Sequence, residues 1–316
     1  MKPPIAILGT VWPDAVLAAL DQQFTCHKLT RMTGEQRAGF FRAEAAGVRG
    51  VLTTGVAGID AALAAQFPAL EIVAVHGVGL DAVALEALAA RGIVVTNTPD
   101  VLTDDVADLA VSLLLAAARR IPALDRYVRA GHWADKRPLQ PSRSLRGKVA
   151  GIYGYGRIGQ AVAARLRGFG MEIRYFQRSD GPEPALRSPS LQALAGASDY
   201  LLVCAPGGPA TCHAVDAAVL DALGPEGTLV NIARGSVVDE AALVAALASK
   251  RLGGAALDVF EDEPNVPAAL TTLENVVLTP HVGSLTVEAR LAMRELAIGN
   301  LLAHFAGKPL LSPVDA

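Results

Sequence analysis

Three ionisable residues in the second half of the chain have the types needed for acid–base chemistry on an anionic substrate. Arg234 lies in the run NIARG, Glu263 in the acidic run EDEP, and His281 in the run TPHVGS. An imidazole titrates near neutral pH and can donate a proton, and a carboxylate bonded to its other nitrogen favours the charged ring. A guanidinium can bind a carboxylate and polarise a carbonyl. Each residue also has a plainer explanation when taken alone, as a strand cap, a solvated acid or the end of a strand.

A glycine-rich run, GYGRIG at residues 154–159, lies between a predicted strand and a predicted helix. Gly154 would permit a tight turn, Gly156 a close approach of a pyrophosphate, and Gly159 close packing of the helix on the strand. The free N–H groups of a helix N-terminus attract phosphate. The run therefore predicts a dinucleotide-binding loop, and the alternative is a purely structural turn.

The residues after the next predicted strand indicate which dinucleotide binds. An NAD enzyme usually has Asp or Glu at this point to bond the ribose hydroxyls. Here the strand ends in the neutral Gln177, followed by Arg178 and Ser179, which can pair with and hydrogen-bond to a 2′-phosphate. Asp180 lies too far along and is predicted to be a turn residue. These residues predict NADP(H) as the preferred cofactor with NAD(H) possible; the alternative is an ordinary solvated arginine.

Composition and charge exclude several classes of protein. The 316 residues carry 28 Lys and Arg against 31 Asp and Glu, a net charge of −3, so no basic excess predicts nucleic-acid binding. The most apolar stretch, 106–118, is too short to span a bilayer, and residues 1–10 do not resemble a signal peptide. The cysteines, Cys26, Cys204 and Cys212, lack metal-binding spacing and are predicted to be buried thiols. We expect a soluble cytoplasmic protein without a metal site.

The elements that must position these residues alternate between apolar strands and Ala- and Leu-rich helices. This rhythm predicts α/β architecture with parallel sheets covered on both faces. The predicted strands are 5–9, 24–29, 48–53, 71–76, 93–97, 148–153, 171–176, 200–204, 228–232, 255–259 and 276–278. The predicted helices are 13–20, 34–46, 59–66, 81–91, 104–120, 157–167, 239–250 and 285–305. The helix 104–120 is apolar almost all round, which predicts burial between domains or subunits.

An ordered set of motifs along nearly the whole chain resembles the D-isomer-specific 2-hydroxyacid dehydrogenases. The set comprises VHGVGLD at 75–81, TNTP at 96–99, the glycine run, the Arg-Gly segment, LDVF at 257–260 and the Pro-His segment. The chain is most similar to the glyoxylate/hydroxypyruvate reductases of this family, because of Gly-His-Trp at 131–133 and Gln-Arg-Ser at 177–179. The resemblance implies that His281 donates the proton, that Glu263 orients it and that Arg234 binds the substrate of a 2-oxo acid reduction.

The resemblance also implies a fold and a set of ligand-binding residues. It implies two Rossmann-like, doubly wound domains, a flavodoxin-like substrate domain of 1–98 with 286–316 and a dinucleotide-binding domain of 99–285. Expected cofactor-binding residues are Thr103, Gly154, Gly156, Arg157, Ile158, Gly159, Gln177, Arg178, Ser179, Ala205, Pro206, Thr211, Ile232, Ala233, Arg234, Asp258, His281 and Gly283. Asp258 could hold the nicotinamide carboxamide. The sequence departs from the family at 206–209, where PGGP has two glycines in place of larger residues.

Further residues are expected to bind the substrate. Val78 and Gly79 follow a strand, and the resemblance implies that their N–H groups contact the carboxylate; a plain turn is the alternative. No Lys or Arg occurs in 52–57 or 74–80, which favours unphosphorylated acids such as glyoxylate and hydroxypyruvate. In similar reductases the residue matching Trp133 reaches from the partner subunit over the substrate; the alternative is an anchor within a dimer interface. A homodimer built on 99–146 is expected.

Two other functions remain open at this point. One is another enzyme of the same family, a D-lactate or phenylpyruvate type of D-2-hydroxyacid dehydrogenase. The other is a non-catalytic protein that senses a dinucleotide and acts through partners, as the corepressors with this fold do. Such proteins usually carry a disordered tail or a peptide-docking extension, and neither is evident in this sequence.

Overall fold

The chain divides into two compact units, Met1–Leu102 with Thr286–Ala316, and Thr103–Leu285. The structure is a computed structural model that describes residues 2–9 and 12–314. Each unit is built on a parallel sheet, so the predicted α/β fold class is confirmed. Residue 286 therefore returns the chain to the first unit after the second unit is complete.

The first unit contains a five-stranded parallel sheet with the order β2-β1-β3-β4-β5. This is the flavodoxin-like order. Its strands are β1 (Pro4–Ile7), β2 (Thr25–Lys28), β3 (Gly50–Thr54), β4 (Ile72–His76) and β5 (Val94–Thr96). Its helices are α1 (Asp14–Gln23), α2 (Gly34–Ala43), α3 (Ala61–Ala65), α4 (Leu85–Ala89) and the C-terminal helix Val287–Phe305, with 3-10 turns at Leu29–Arg31 and Ala45–Gly47.

Apolar side chains cover both faces of this sheet because successive residues of a strand point to opposite sides. On β1, Ile5 and Ile7 belong to one core and Ala6 to the other. The C-terminal helix contributes Ala297 and Leu301 to the core that contains Ile5. Strands buried on both faces read as continuous apolar runs, which is why the sequence located them.

The second unit contains a six-stranded parallel sheet with the order β11-β10-β9-β8-β6-β7. Its strands are β6 (Val149–Tyr153), β7 (Glu172–Phe176), β8 (Tyr200–Val203), β9 (Thr228–Asn231), β10 (Gly254–Leu257) and β11 (Val276–Leu278). Its helices are α5 (Thr103–Ala118), α6 (Ile121–Arg129), α7 (Arg157–Gly168), α8 (Leu191–Gly196), α9 (Ala217–Leu223), α10 (Glu240–Ala248) and α11 (Ala268–Thr272), with 3-10 turns at Pro184–Leu186 and Gly235–Val237. The helix Val287–Phe305 of the first unit is α12 in chain order.

One strand of the usual Rossmann order is reduced to a single contact. In the order 3-2-1-4-5-6, strand 3 would lie outside β7. Here an isolated parallel bridge between Tyr175 and Arg187 occupies that edge. The segment between the two residues, 176–186, therefore lies at the open edge of the sheet.

Some predicted helices differ from the observed ones for local reasons. The helix expected over 81–91 is confined to Leu85–Ala89, because Val83 forms a parallel bridge with Ile59 and the two residues before it lie in a turn. Helices α6, α8, α9 and α11 were not anticipated, and apart from α6 each is shorter than eight residues. Short helices leave too few turns for a clear apolar period.

The helix α5 packs within its own unit and has a polar edge. It contacts α7 and strands β9 and β10 of the second sheet. Asp104 and Asp108 on α5 pair with Arg165 of α7 at 2.9 and 2.5 Å. The helix was expected to be apolar almost all round. This is correct for its buried side, but the edge with Asp104 and Asp108 is polar.

Two other expectations concerned thiols and membranes. Cys212 is exposed, so the expectation that all three thiols are buried was wrong for this residue; Cys26 and Cys204 are partly buried. Cys212 lies in the irregular segment after β8, where no packed element covers it. None of the helices in the described ranges is both long and apolar enough to cross a bilayer.

Candidate active site

The predicted cofactor residues lie in loops that follow the strands of the second sheet. In a parallel sheet these loops share one edge, and ligands bind where neighbouring connections diverge to opposite faces. The divergence here lies between β6 and β8. The glycine run follows β6, and Ala205 and Pro206 follow β8. The predicted residues within 177–179, 232–234 and 281–283 follow β7, β9 and β11 in the same way.

The glycine run has the close contacts that its sequence predicts. Gly154 has φ +92°, and a Cβ there would lie 2.5 Å from the backbone nitrogen of Ala205. A Cβ on Gly159 would lie 2.2 Å from the carbonyl oxygen of Gly154, so the helix α7 can approach the strand only with glycine at this position.

Gly156 provides space of the kind that a phosphate needs. A Cβ built there meets no described protein atom within 4 Å, in contrast to Gly154 and Gly159. Gly156 is the N-cap of α7, and no side chain caps this helix. Arg157 and Ile158 begin the helix, so their N–H groups belong to its uncapped first turn. These features fit the diphosphate of a dinucleotide.

The side chain of Gln177 is bonded to the protein. Its Oε1 accepts a hydrogen bond from the N–H of Tyr155 at 3.2 Å, and its Nε2 donates to the carbonyl of Asp180 at 2.9 Å. Arg178 and Ser179 are exposed. Burial raises the pKa of Tyr153, and the nearby charge of Arg178 opposes that rise. An exposed arginine therefore lies beside the end of β6.

The loop after β8 is closed by a threonine. The hydroxyl of Thr211 donates to the carbonyl of Pro206 at 2.7 Å, and Thr211 is buried. Ala205 is also buried, whereas Pro206 is exposed. Thr103, the remaining predicted cofactor residue, is the first residue of α5.

Arg234 is held by the turn that ends β9. The Asn231 side chain accepts from the N–H of Ala233 at 3.1 Å and donates to the carbonyl of Arg234 at 2.9 Å. The Arg234 guanidinium donates to the carbonyl of Ala233 at 2.7 Å. A Cβ on Gly235 would lie 1.9 Å from the carbonyl carbon of Phe260, so this turn packs directly on the loop that leads to Glu263.

His281 and Glu263 form a hydrogen-bonded pair. Nδ1 of His281 lies 2.7 Å from Oε2 of Glu263, and Oε1 of Glu263 accepts from the N–H of Phe260 at 3.1 Å. The His281 side chain is 34% exposed and the Glu263 side chain is 26% exposed. Among the described residues no hydrogen bond involves Nε2 of His281. This nitrogen is the one that could exchange a proton with a substrate.

Glu263 is charged because its neighbours outweigh its burial. Burial opposes ionisation, but the hydrogen bond and the charge of His281, the N–H of Phe260 and the charge of Arg234 hold the pKa of Glu263 below its usual value. An ionised carboxylate on Nδ1 fixes the ring orientation and stabilises the imidazolium form. The three residues singled out by the sequence are thus electrostatically connected.

Asp258 organises the loop that carries His281. Its buried carboxylate accepts from the Thr279 hydroxyl at 2.6 Å and from the N–H groups of Val282 and Gly283, each at 2.9 Å. The carbonyl of Asp258 accepts the N–H of His281 at 2.7 Å, and His281 has φ +52°. The sequence predicted Asp258 as a cofactor contact; in the structure its carboxylate holds the loop that carries His281.

Two groups of predicted substrate residues belong to other segments of the chain. Val78 and Gly79 follow β4 in the first unit, where Asn97 Nδ2 donates to the carbonyl of Val78 at 3.1 Å. Trp133 lies in the irregular segment after α6 in the second unit and is 69% exposed. No contact of the described chain brings Trp133 to His281.

Sequence reasoning missed several residues that position the site. Asn231 is one, although an Asn directly after a strand is a recognisable turn signal. Thr279 and Arg187 are others, and their contacts with Asp258 and with the loop after β7 carry no short-range signal.

Comparison with known proteins identifies the family. A sequence model described as "D-isomer specific 2-hydroxyacid dehydrogenase, NAD binding domain" matches residues 111–283, more than half of the chain. Hydroxyphenylpyruvate reductase of Plectranthus scutellarioides is 51% identical over 93% of this chain and 94% of its own length. Glyoxylate/hydroxypyruvate reductase A of Arabidopsis thaliana is 52% identical over 84% of this chain and 85% of its own length.

A solved structure agrees with these matches. It is that of an NADPH-dependent glyoxylate/hydroxypyruvate reductase from Sinorhizobium meliloti in complex with NADP and malonate. It superposes with a TM-score of 0.90 at 44% identity, covering 99% of this chain and 97% of the other. With its two parallel-sheet units and its Arg, Glu and His residues, the chain belongs to the D-isomer-specific 2-hydroxyacid dehydrogenases, a family of oxidoreductases that use a nicotinamide dinucleotide.

Proposed function

We propose that this enzyme reduces small 2-oxo acids, glyoxylate and hydroxypyruvate, to D-2-hydroxy acids, with NADPH as the preferred cofactor. The observation that carries the proposal is the His281–Glu263 pair, with an Nδ1–Oε2 distance of 2.7 Å and no described partner on Nε2. Names of the relatives above support the substrate class, and one of them is described as NADPH-dependent.

The proposed reaction adds a hydride to the 2-carbon and a proton to the carbonyl oxygen. A bound nicotinamide supplies the hydride. His281 gives the proton from Nε2, while the Glu263 carboxylate stabilises the charged ring before the transfer. Arg234 binds the substrate carboxylate and polarises the carbonyl, which reduces the cost of the developing alkoxide charge.

Each unit has its own part in the proposed ligand binding. The second unit, Thr103–Leu285, would bind the dinucleotide through the glycine run, and Val78 and Gly79 of the first unit would bind the substrate carboxylate. Gly156 and the uncapped start of α7 fit the diphosphate. Arg178 and Ser179 fit a 2′-phosphate, and no carboxylate is present on residue 177 to bond a free ribose hydroxyl.

We also propose a homodimer built on residues 99–146. The helix α6 has no buried residue, although it carries Ile121 and Val128 on one face, each 53% exposed. Trp133 and Leu139, in the segment that follows, are also exposed. A second copy of the chain would cover this apolar surface and would bring Trp133 to the partner's substrate.

A reducing compartment, the cytoplasm, suits the proposed enzyme. Cys26, Cys204 and Cys212 are free thiols. Burial raises the pKa of the Cys26 and Cys204 thiols to about 12, so neither is a reactive thiolate at neutral pH.

Steady-state kinetics with a substrate panel test the proposed function. We expect higher kcat/KM for glyoxylate and hydroxypyruvate than for 4-hydroxyphenylpyruvate or pyruvate, and higher values with NADPH than with NADH. A preference for the aromatic acid would identify a hydroxyphenylpyruvate type of reductase instead. Absence of turnover with every acid, together with tight dinucleotide binding, would support a sensing protein.

Removal of the proton donor or of the anion-binding group should nearly abolish turnover. We expect His281→Asn to lower kcat by about 10²–10⁴-fold, the usual contribution of a general acid, with the melting temperature unchanged. Arg234→Gln removes the charge that binds the carboxylate and polarises the carbonyl, and should lower kcat/KM by about 10²–10³-fold. His213→Asn is a matched control, because His213 also has positive φ and pairs with a carboxylate, that of Glu261, at 2.6 Å. A loss of less than tenfold in the His281 variant would contradict its role.

The pH dependence of reduction should report the charge of Glu263. Since the pKa of Glu263 lies below its usual value, its support for the imidazolium form persists at neutral pH and is lost only as the pH falls through that lowered value. In Glu263→Gln this support is absent at every pH, so the pH at which reductive kcat/KM is half lost should decrease. Glu261→Gln, two residues away, serves as control, and an equal displacement in both variants would argue against the assignment.

The oligomeric state tests the proposed interface. Sedimentation velocity should give a dimer for the wild type and a monomer for Val128→Asp combined with Trp133→Ser, because charge at the centre of an apolar interface costs several kcal/mol (about 2–5). Phe169→Asp alters an apolar residue of the same unit that is 43% exposed and lies after α7, and should leave the dimer intact. A monomeric wild type would refute the proposal.

A further inference from the structure

Arg187 bonds three groups of the loop that follows β7. Its Nη1 lies 3.0 Å from Oδ1 of Asp180, and its Nη2 donates to the carbonyls of Gln177 and Arg178, each at 3.1 Å. Residue 187 itself forms the isolated bridge to Tyr175 that replaces a third strand. The guanidinium thus joins the two ends of a segment that lies at the edge of the sheet.

These contacts fix the backbone on both sides of the Arg178 Cα. The carbonyls of residues 177 and 178 flank that atom, so holding both of them sets the direction in which the Arg178 side chain leaves the loop. The Gln177 side chain adds a third restraint through its bond to the carbonyl of Asp180 at 2.9 Å. Arg178 is exposed and makes no side-chain hydrogen bond or ion pair among the described residues. Its direction therefore depends on the backbone beneath it.

Arg187 also neutralises the charge nearest to Arg178 in the loop. The Asp180 side chain is fully exposed and has Arg187 as its ion-pair partner. An exposed ion pair contributes little to stability by itself. The Asp180–Arg187 ion pair has a larger effect on the binding of a dianionic phosphate, because an unpaired carboxylate two residues from Arg178 would repel that phosphate.

We propose that Arg187 is a positioning residue for NADPH selectivity. Its guanidinium holds the loop 177–180 in the conformation in which Arg178 contacts the 2′-phosphate, and Arg187 itself does not contact the phosphate. The inference rests on the proposed NADPH preference. A lysine cannot replace the arginine, because one ammonium lacks the planar pair of donors that reaches Asp180 and both carbonyls together.

Dissociation constants of the purified full-length protein for NADPH and NADH test this proposal without requiring turnover. The measured quantity is the selectivity, the NADH constant divided by the NADPH constant, obtained from the fluorescence of the reduced nicotinamide. Arg187→Ala should lower the selectivity about tenfold, the effect of losing a charge-assisted hydrogen bond at the phosphate, and should leave the NADH constant within about twofold. Arg187→Lys should recover little of it.

A double-mutant cycle separates positioning from direct contact. If Arg187 acts through Arg178, then Arg178→Ala combined with Arg187→Ala should have the same selectivity as Arg178→Ala alone. If the two losses multiply, Arg187 binds the phosphate independently and the positioning role is wrong.

A matched control loosens the same segment at another point. Glu183 accepts hydrogen bonds from the Tyr155 hydroxyl at 2.5 Å and from Arg167 at 2.6 Å, and it makes no contact with Arg187 among the described residues. Glu183→Ala should weaken NADPH and NADH binding by similar factors and leave the selectivity unchanged. A loss of selectivity equal to that of Arg187→Ala would indicate general loosening and would overturn the proposal.

Failure of the inference can be told apart from failure of the proposed function. A wild type that binds NADPH and NADH equally would refute the NADPH preference and the role of Arg187 together. A selective wild type whose Arg187→Ala or Arg187→Lys variant keeps the full selectivity would refute the role of Arg187 alone. Melting temperatures within about 2 °C of the wild type would exclude unfolding as the cause, since 1 kcal/mol corresponds to about 1.5 °C for 316 residues.

Discussion

A buried carboxylate, that of Asp258, determines where the proton donor lies. Burying a charge is costly unless hydrogen bonds replace water, and Asp258 receives three such bonds from residues 279–283. Its backbone carbonyl receives a fourth from His281. The loop after β11 is thereby tied to the end of β10, and the imidazole meets Glu263, which follows β10 along the chain. The acid–base pair is thus held from the interior of the unit.

Much of this architecture could be predicted because its causes are local. A strand covered on both faces requires a run of buried, mostly apolar residues, and β3, β4 and β8 are such runs. Gly154 and Gly159 could be assigned because a Cβ at either position would collide with backbone. His281, Glu263 and Arg234 stood out because their chemistry is uncommon at strand ends and because the motifs around them occur in a fixed order.

Other features could not be predicted because they depend on contacts between distant residues. The expected helix over 81–91 was shortened by a bridge to Ile59, which no local pattern reveals. The three hydrogen bonds of Arg187 to the loop 177–180 form only because the chain turns back between these residues. The sequence near Gln177 therefore suggested a cofactor preference but gave no sign of the residue that holds this loop. The exposure of Cys212 likewise depends on how distant elements pack around it, which its neighbours in the sequence do not reveal.

The place of α12 affects how the chain can fold as it is synthesised. The second unit is continuous, so all of its strands have been synthesised before translation reaches residue 286. The first sheet emerges earlier, yet the core around Ile5 lacks Ala297 and Leu301 until the last helix has been made. The amino-terminal unit therefore cannot complete its core until the chain beyond residue 286 has been made, so its folding ends only after the whole second unit has been translated.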